Sequence, residues 1–524
     1  MVIPTRGLTV TQLPTAVYSR SVSTSDYKFC IIKKITMKTR KYFSYVVAAS
    51  LMLSLNSCVK DEYLNPISDT GLSDASAFDT KDRIINQVTG IYSSLKSGNL
   101  YGSRVQIYND VKAENFLSND PNRVTARAAW EWSELSGDNE VNNTWSAAYT
   151  TINRVNIFLE GMAAKGDAIA GADAAKLNAE ARFCRAVAYY TLLQFYARPY
   201  WDGAGSKPGV PLRLTAIKGG GFNDIARSPV SAVYAQILDD LNFAETNLAQ
   251  TNGSAVLNTT RAHRNTAIAM KVRTYMSMQK YPEAISEANK IVSPSAPFTA
   301  TSGVAHALAP NIATVFTSYT TTESILSFPF TTTDPPAGQS QLGGYYMPLG
   351  VGGASGIFYL NPAGVIADPN WTVDDKRRSF ILVNAGKSWL SKYAAAGPFL
   401  DWAPFLRYSD ILLLLAEATA RTGASVDARA VALLNAVRNR SDAGTTYTVG
   451  SFASNAELID AILQERNIEF LGEGVRSLDI QRLQLAYPAK SMPGVSVEAI
   501  PPTSPVYIWP TPSEESRYNS LIDS

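Results

Sequence analysis

Apolar side chains recur at three- and four-residue steps through much of this 524-residue chain, and that spacing limits its fold more than any other feature. Ser228 and Pro229 are residue types typical of an N-cap and a first helical position, and a helical stripe follows them. Ser454 and Glu457 have the spacing of a capping box ahead of another stripe. The clearest stripe comprises Val230, Val233, Ile237, Leu241, Ala244 and Leu248. The spacing therefore predicts a mainly α-helical protein.

Several of these stripes come in pairs separated by short connections, such as 145–159 with 177–196. Antiparallel neighbours can bury each other's apolar faces, as the helices of tetratricopeptide repeats do, although no strict period of about 34 residues is present. We therefore expect tetratricopeptide-like helical pairs over about 140–292 and 402–482.

The stretch between these two parts, from about 293 to 401, has a different composition. Gly, Pro, Thr and Ser dominate it, and the helical spacing is lost. Long irregular segments inside compact proteins are usually functional or disordered, and this one carries many aromatic side chains, which disordered segments lack. We therefore expect a large, ordered, loop-rich insertion with minor β content.

An export signal lies near the start of the chain. From Met37 a basic segment leads into about 14 apolar residues, a length typical of a signal peptide and too short to cross a bilayer. The apolar run ends in Leu-Asn-Ser-Cys, which resembles a lipobox, so Cys58 is the predicted lipidation site and would carry acyl chains such as palmitate. The predicted divisions are a mis-called upstream start at 1–36, a lipoprotein signal peptide at 37–57, a polar tether at 58–72 and the body at 73–524.

Removing the leader changes the charge of the chain. Residues 1–57 hold eight Lys/Arg and one Asp, so 39 basic and 44 acidic side chains remain, a net charge of −5. A nucleic-acid partner is not expected, because it would need a basic patch or stripe. Cys184 lies in an apolar helical pattern and is predicted to be a core residue, so the exported body has no disulfide framework.

Five local patterns resemble those of the SusD/RagB family and occur in that family's order behind the lipobox. Cys184 replaces the more usual leucine of the second pattern. Charges on apolar helices, such as Glu465, Arg466, Glu469 and Arg482 of the fifth pattern, are expected to form paired, partly buried ion networks. The five patterns are W-x3-Y-x2-I-N-x2-N at 145–156, E-A-R-F-x-R-A at 180–186, R-Y-x-D followed by A-E-A at 407–418, L-N-x-V-R-x-R at 434–440, and E-R-x2-E-x3-E-G-x-R-x2-D-x2-R at 465–482.

The resemblance covers nearly the whole mature chain and implies a role. It implies a non-catalytic, surface-exposed lipoprotein, held on the cell outer membrane through its N-terminal lipid. Such a protein would capture an oligosaccharide or polysaccharide and act as a lid for a SusC-like TonB-dependent transporter in polysaccharide utilization. The resemblance also implies that the ligand surface is built from the N-terminal part and the middle insertion, without fixing the residues.

The residues themselves give little support for catalysis. The chain has no HExxH, CxxC, phosphate-loop or nucleophile-elbow pattern. Its two histidines, His263 and His306, are far apart in the sequence and lack metal-ligand spacing. We therefore expect no enzyme activity and no cofactor, and leave open whether a structural calcium ion supports the loops.

Aromatic side chains in loops are the best candidates for ligand binding. A sugar ring has an apolar C–H face that an aromatic ring can cover, and hydroxyls that polar side chains can bind. Rigid scaffolds commonly present such groups on loops, although loop or core packing is the ordinary role of any single aromatic residue. The candidates are Trp130, Trp132, Tyr345, Tyr346, Phe358, Tyr359 and Trp371.

Two other functions remain open at this stage. The same lid could carry peptide or another polymer, in which case the binding surface should be rich in charge and strand edges. A helical-repeat scaffold that binds only protein would instead keep its partner when the loop aromatics are replaced.

Overall fold

A computed structural model describes residues 76–221 and 223–523. The upstream start, the signal peptide, the tether and Cys58 lie outside the described residues. In the described part the α-helices are α1 (Lys81–Leu95), α2 (Arg104–Lys112), α3 (Arg127–Glu131), α4 (Asn139–Gly161), α5 (Asp167–Ala170), α6 (Ala174–Tyr196), α7 (Val230–Asn247), α8 (Ala255–Thr260), α9 (Arg264–Ser277), α10 (Tyr281–Ala288), α11 (Ile312–Val315), α12 (Leu342–Tyr346), α13 (Tyr408–Thr422), α14 (Ala428–Ser441), α15 (Asn455–Glu469), α16 (Arg476–Arg482) and α17 (Ser513–Tyr518).

Successive helices pack side by side, which confirms the predicted tetratricopeptide-like scaffold. Helix α4 packs on α6, α6 on α7, α7 on α9 and α9 on α10. Helix α6 is buried on nearly all sides, because α1, α4 and α7 pack around it, and Cys184 at its centre is a core residue as predicted. No helix among the described residues is both long and apolar enough to cross a membrane.

Two predicted helix starts can be compared with the observed caps. The Ser454 hydroxyl accepts a hydrogen bond from the Glu457 amide, and α15 begins at the next residue, Asn455; the Glu457 carboxylate accepts from Ala453 instead of Ser454, so half of the predicted capping box forms. The prediction at Ser228 was wrong by one position: Ser228 belongs to a short strand, and Pro229 is the N-cap of α7. The fixed φ of proline suits both positions, so the residue type alone did not decide between them.

The predicted insertion leaves the scaffold between two helices that pack against each other, α10 and α13. It holds four of the ten described strands, β4 to β7, and the described strands pair only in antiparallel twos: β1 with β5, β2 with β3, β4 with β8, β6 with β7 and β9 with β10. The strands are β1 (Phe116–Ser118), β2 (Pro208–Pro211), β3 (Arg227–Pro229), β4 (Ser324–Phe328), β5 (Phe358–Leu360), β6 (Ile381–Asn384), β7 (Lys387–Leu390), β8 (Ala403–Arg407), β9 (Lys490–Met492) and β10 (Val495–Val497). Strand β4, inside the insertion, pairs with β8, which follows the insertion directly and leads into α13.

The first of the five patterns holds an extended segment against the scaffold. Asn153 forms a reciprocal pair of hydrogen bonds with the backbone of Ile217, at 2.9 and 2.8 Å. The Tyr149 hydroxyl donates to the Pro211 carbonyl at 2.7 Å. These side chains therefore have a structural role, since they hold the end of β2 and satisfy the backbone of Ile217, which lies outside helix and sheet.

The predicted ion networks are present, and they are deeply buried. Glu469 receives hydrogen bonds from Arg377, Arg407 and Arg440 at 3.0, 2.8 and 2.6 Å. Arg377 belongs to the insertion and also pairs with Glu465 at 2.6 Å. The network therefore ties the insertion to the last helices of the scaffold.

Candidate functional site

Pairing of β1 with β5 brings the two regions predicted to bind ligand into contact. Phe116 lies opposite Leu360, and Ser118 lies opposite Phe358. The pairing continues beyond the strands, where the Asn119 amide donates to the Ile357 carbonyl at 2.7 Å. The N-terminal region and the insertion therefore share one antiparallel ladder.

The N-terminal aromatic candidates lie beneath this ladder. The Trp130 indole is fully buried, and its Nε1 donates to the Phe116 carbonyl at 2.8 Å. The Trp132 indole donates to the Lys112 carbonyl at 3.1 Å and packs edge-to-face on Tyr487, with ring centroids 4.3 Å apart. Both rings therefore hold backbone and core in place.

The insertion contributes a second buried layer of rings. Tyr346 packs 5.0 Å from Phe116, and its hydroxyl donates to Asp110 at 2.8 Å. Burial raises the pKa of Asp110 to about 8, so this carboxyl is largely protonated at neutral pH. Tyr345 stacks on Phe358 with centroids 6.3 Å apart.

The expectation of exposed aromatic platforms was therefore wrong. The exposed fractions of the seven candidates run from 0% at Trp130, Tyr346 and Phe358 to 8% at Tyr359. Trp371 is 2% exposed and is covered by the Arg378 guanidinium, 4.3 Å from its ring. The insertion has no continuous sheet or helix layer of its own, so large rings must fill the space between its loops and the N-terminal helices.

One of these rings lies just below a polar surface. The Lys387 ammonium is 4.4 Å from the Tyr359 ring centroid and donates to Asn119 Oδ1 at 2.5 Å. Asn119 Nδ2 in turn donates to the Gly356 carbonyl at 3.0 Å. Trp389 packs beside Tyr359, with centroids 5.9 Å apart. The junction surface, as we call it, comprises Asn119, Asp120, Tyr359 and Lys387.

The loop that carries Asn119 is ordered by its own side chains. Asp120 accepts hydrogen bonds from the Asn122 amide at 3.0 Å and the Thr125 hydroxyl at 3.1 Å. Arg123 pairs with Asp138 at 2.8 Å. The loop is exposed yet held in one shape, which reduces the entropy that a ligand must overcome on binding.

Sequence reasoning missed Asn119 and Lys387. The signal for Lys387 was present, because Asn384-Ala385-Gly386-Lys387 joins two strands through two residues with positive φ, as hairpin turns of the primed types do. The pairing of β1 with β5 had no such signal, since each strand has three residues and more than two hundred residues separate them.

The two histidines also meet in the structure despite their separation in sequence. His263 is the N-cap of α9, and its ring stacks on that of His306, with centroids 5.3 Å apart. His306 Nδ1 lies 3.1 Å from the Thr322 carbonyl oxygen. No group of three or more His, Cys, Asp or Glu side chains is placed to hold a metal ion in the described part of the chain.

Comparisons with known proteins agree on one family. A family model described as "Starch-binding associating with outer membrane" matches residues 62–276, and the "SusD family" model matches residues 400–519. "SusD-like protein P2" of Formosa agariphila is 24% identical, over 90% of this chain and 97% of its own length.

Solved structures give the same result. A SusD superfamily protein from Bacteroides fragilis is 29% identical, with a TM-score of 0.76 over 85% of this chain and 100% of its own. Surface glycan-binding protein A from Bacteroides thetaiotaomicron is 18% identical, with a TM-score of 0.66 over 85% of this chain and 98% of its own. At that identity the second likeness shows the fold alone.

Proposed function

Because the chain belongs to the SusD family, we propose that it captures an oligosaccharide at the cell surface and acts as a lid for a SusC-like TonB-dependent transporter. The cargo is the part of this proposal that the described residues can support. The transporter partner and the lid motion rest on family membership. Attachment to the outer membrane would come from acyl chains on Cys58, with 58–72 as the tether.

The observation that supports glycan capture is the lysine over Tyr359. A cation 4.4 Å from an aromatic centroid is held by the ring's quadrupole and by Asn119; Asn119 is exposed and Lys387 is only half-buried. A sugar that displaces Lys387 would gain the apolar ring face for its C–H groups. The freed ammonium would then donate to its hydroxyls, and the freed Asn119 Oδ1 would accept from one.

The other side chains of this region are fixed, so a ligand would need to displace only the Lys387 side chain. Trp130, Tyr346 and Phe358 are buried under the ladder, and the Asp120 turn fixes the loop. Lys387 has the long, flexible stem of its residue type and lies in a two-stranded hairpin. Binding can therefore open the Tyr359 face without rearranging the core.

The test is calorimetry of the purified full chain with a panel of neutral, amino-bearing and acidic oligosaccharides, with peptides as a parallel series. Lys387→Met keeps the stem and removes the charge, and Asn119→Ala removes the amide. We expect at least a tenfold loss of affinity for the bound glycan class in the double variant.

Asp239→Asn is the matched control, because Asp239 is an exposed surface carboxylate on α7. Binding to peptides alone would replace glycan by peptide cargo. Binding of neither, with retained binding to a SusC-like transporter, would leave only the lid role. Binding to another protein alone would favour the protein-binding scaffold.

A further inference from the structure

A separate cavity of about 420 Å³ opens where the insertion meets helices α14 and α15. None of the residues of the junction surface lines it. Its volume falls in the range of pockets that take small organic ligands. The lining residues used below are Asp368, Arg438, Tyr447, Phe452, Asp460 and Gln464.

One wall of this α15 cavity is aromatic. The rings of Tyr447 and Phe452 lie 5.2 Å apart and are inclined by 43°, and each is only half-buried. Asn435 fixes the position of Tyr447 through two hydrogen bonds to its backbone, at 2.7 and 2.9 Å. The α15 cavity therefore has the partly exposed ring faces that the junction surface lacks.

The facing wall offers hydrogen-bond acceptors. Asp368 accepts from the Asn370 amide at 2.7 Å and from the side chain of Gln464. The Asp460 carboxylate is exposed and makes no hydrogen bond or ion pair with the described residues. Two carboxylates and an amide carbonyl can thus accept from ligand hydroxyls or amines.

A buried arginine supports the cavity from behind. Arg438 is 2% exposed, and its terminal nitrogens bind Glu465 at 3.0 Å and Asp442 at 3.3 Å. Its Nε makes no hydrogen bond within the described residues. That nitrogen is itself buried, so Arg438 supports the cavity wall and does not face a ligand.

The charges of the cavity limit the ligand. Arg438 is neutralised by its two carboxylate partners, so Asp368 and Asp460 leave the cavity negative. On these observations we propose that the α15 cavity is a second glycan site, which takes a neutral or amino-bearing sugar unit against Tyr447 and Phe452 and excludes uronate and sulfated units. The ligand class rests on the proposed glycan function, and the site itself is independent of the junction surface.

The test uses three probes with the purified full chain: cellotetraose, the glucosamine tetramer and tetragalacturonate. Binding is measured by calorimetry, and saturation-transfer NMR reports which sugar protons touch aromatic rings. Asp460→Asn removes an exposed charge that has no partner, so folding should be unchanged. We expect it to weaken binding of the glucosamine tetramer at least fivefold and of cellotetraose less, and we expect Phe452→Ala to weaken both.

The double variant of Asn119 and Lys387 is the matched comparison. If it abolishes all binding while the Asp460 and Phe452 variants bind like the parent, the second site is overturned and the proposed function stands. If the Asp460 and Phe452 variants alone lose binding, the second site is supported and the junction surface is not the capture site. Tight binding of tetragalacturonate, or no binding of any of the three probes, would overturn the second site.

Discussion

At the scale of single residues, Glu469 is the centre of the buried charge that fastens the insertion to the scaffold. Burial alone would raise the pKa of Glu469, but Arg440, Arg407 and Arg377 together hold it well below its ordinary value. Such a group is costly only when its partners are removed, because a buried charge left alone is poorly solvated.

We therefore expect Glu469→Gln to lower the free energy of unfolding by about 3–5 kcal/mol, since three buried guanidinium groups would lose their shared anion. Urea denaturation measures the change. Asp239→Asn is the control: Asp239 is exposed and pairs with Arg182, and loss of such a surface pair costs about 0–1 kcal/mol. Equal effects of the two substitutions would contradict the structural role of the buried network.

The histidine pair predicts a dependence of stability on pH. Burial lowers the pKa of His263 to about 3, with help from His306, and burial lowers that of His306 to about 4. In the unfolded chain each histidine takes up a proton near pH 6.5, whereas in the folded chain it does not. Each histidine therefore destabilises the fold increasingly as the pH falls from about 6.5 to its folded pKa.

His263→Asn isolates one of these contributions, because asparagine is a favoured N-cap residue and does not titrate. The free energy of unfolding of the parent, minus that of the variant, should fall by about 2 kcal/mol between pH 7 and pH 5. Taking this difference removes the opposing contribution of Asp110, whose raised pKa favours the fold as pH falls. A difference that stays constant with pH would show that His263 has the same pKa in the folded and unfolded chains.

At the scale of elements, the turn between α15 and α16 contains two glycines with positive φ, Gly472 and Gly474, and only the second approaches another backbone. Gly474 has a φ of +72°, and its amide donates to Asp110 at 2.9 Å. A Cβ there would lie 2.7 Å from the Gln106 Cα of helix α2. The family pattern needs glycine at this position because two backbones approach closely.

Gly474→Ala should lower the free energy of unfolding by more than about 2 kcal/mol, from backbone strain and the clash together. Gly253 is the comparison, since it has a φ of +83° and a Cβ there would meet nothing within 4 Å. Gly253→Ala should therefore cost only the strain, about 1 kcal/mol. Thermal unfolding of both variants measures the two losses of stability. Similar losses would argue against the close approach of the Gly474 and Gln106 backbones.

The helices could be predicted from the sequence, whereas the packing of aromatic residues in the irregular segments could not. The period of the apolar residues predicted the helices well, because each helix carries its own pattern from cap to cap. The exposure of Tyr345 or Trp130 was mispredicted, because a ring in an irregular segment looks the same in sequence whether it packs or binds. Tyr447 and Phe452 were overlooked for the same reason, and only the fold brings them to one cavity.

At the scale of the whole molecule, the insertion is an addition to a scaffold that closes without it. Helices α10 and α13 pack together although the insertion separates them in the chain. The scaffold and the family could therefore be predicted from local patterns. The candidate site depends on the pairing of β1 with β5 and on Asn119 meeting Lys387, which are contacts between distant segments.

Amide hydrogen exchange of the full chain, with and without a saturating bound glycan, tests most directly whether the junction surface captures the ligand. We predict slower exchange in the 119–124 loop, in β5 and in the β6–β7 hairpin, and loss of that protection in the Asn119→Ala, Lys387→Met double variant. Glycan binding that leaves these three segments unchanged and protects other parts of the chain would contradict capture at the junction surface.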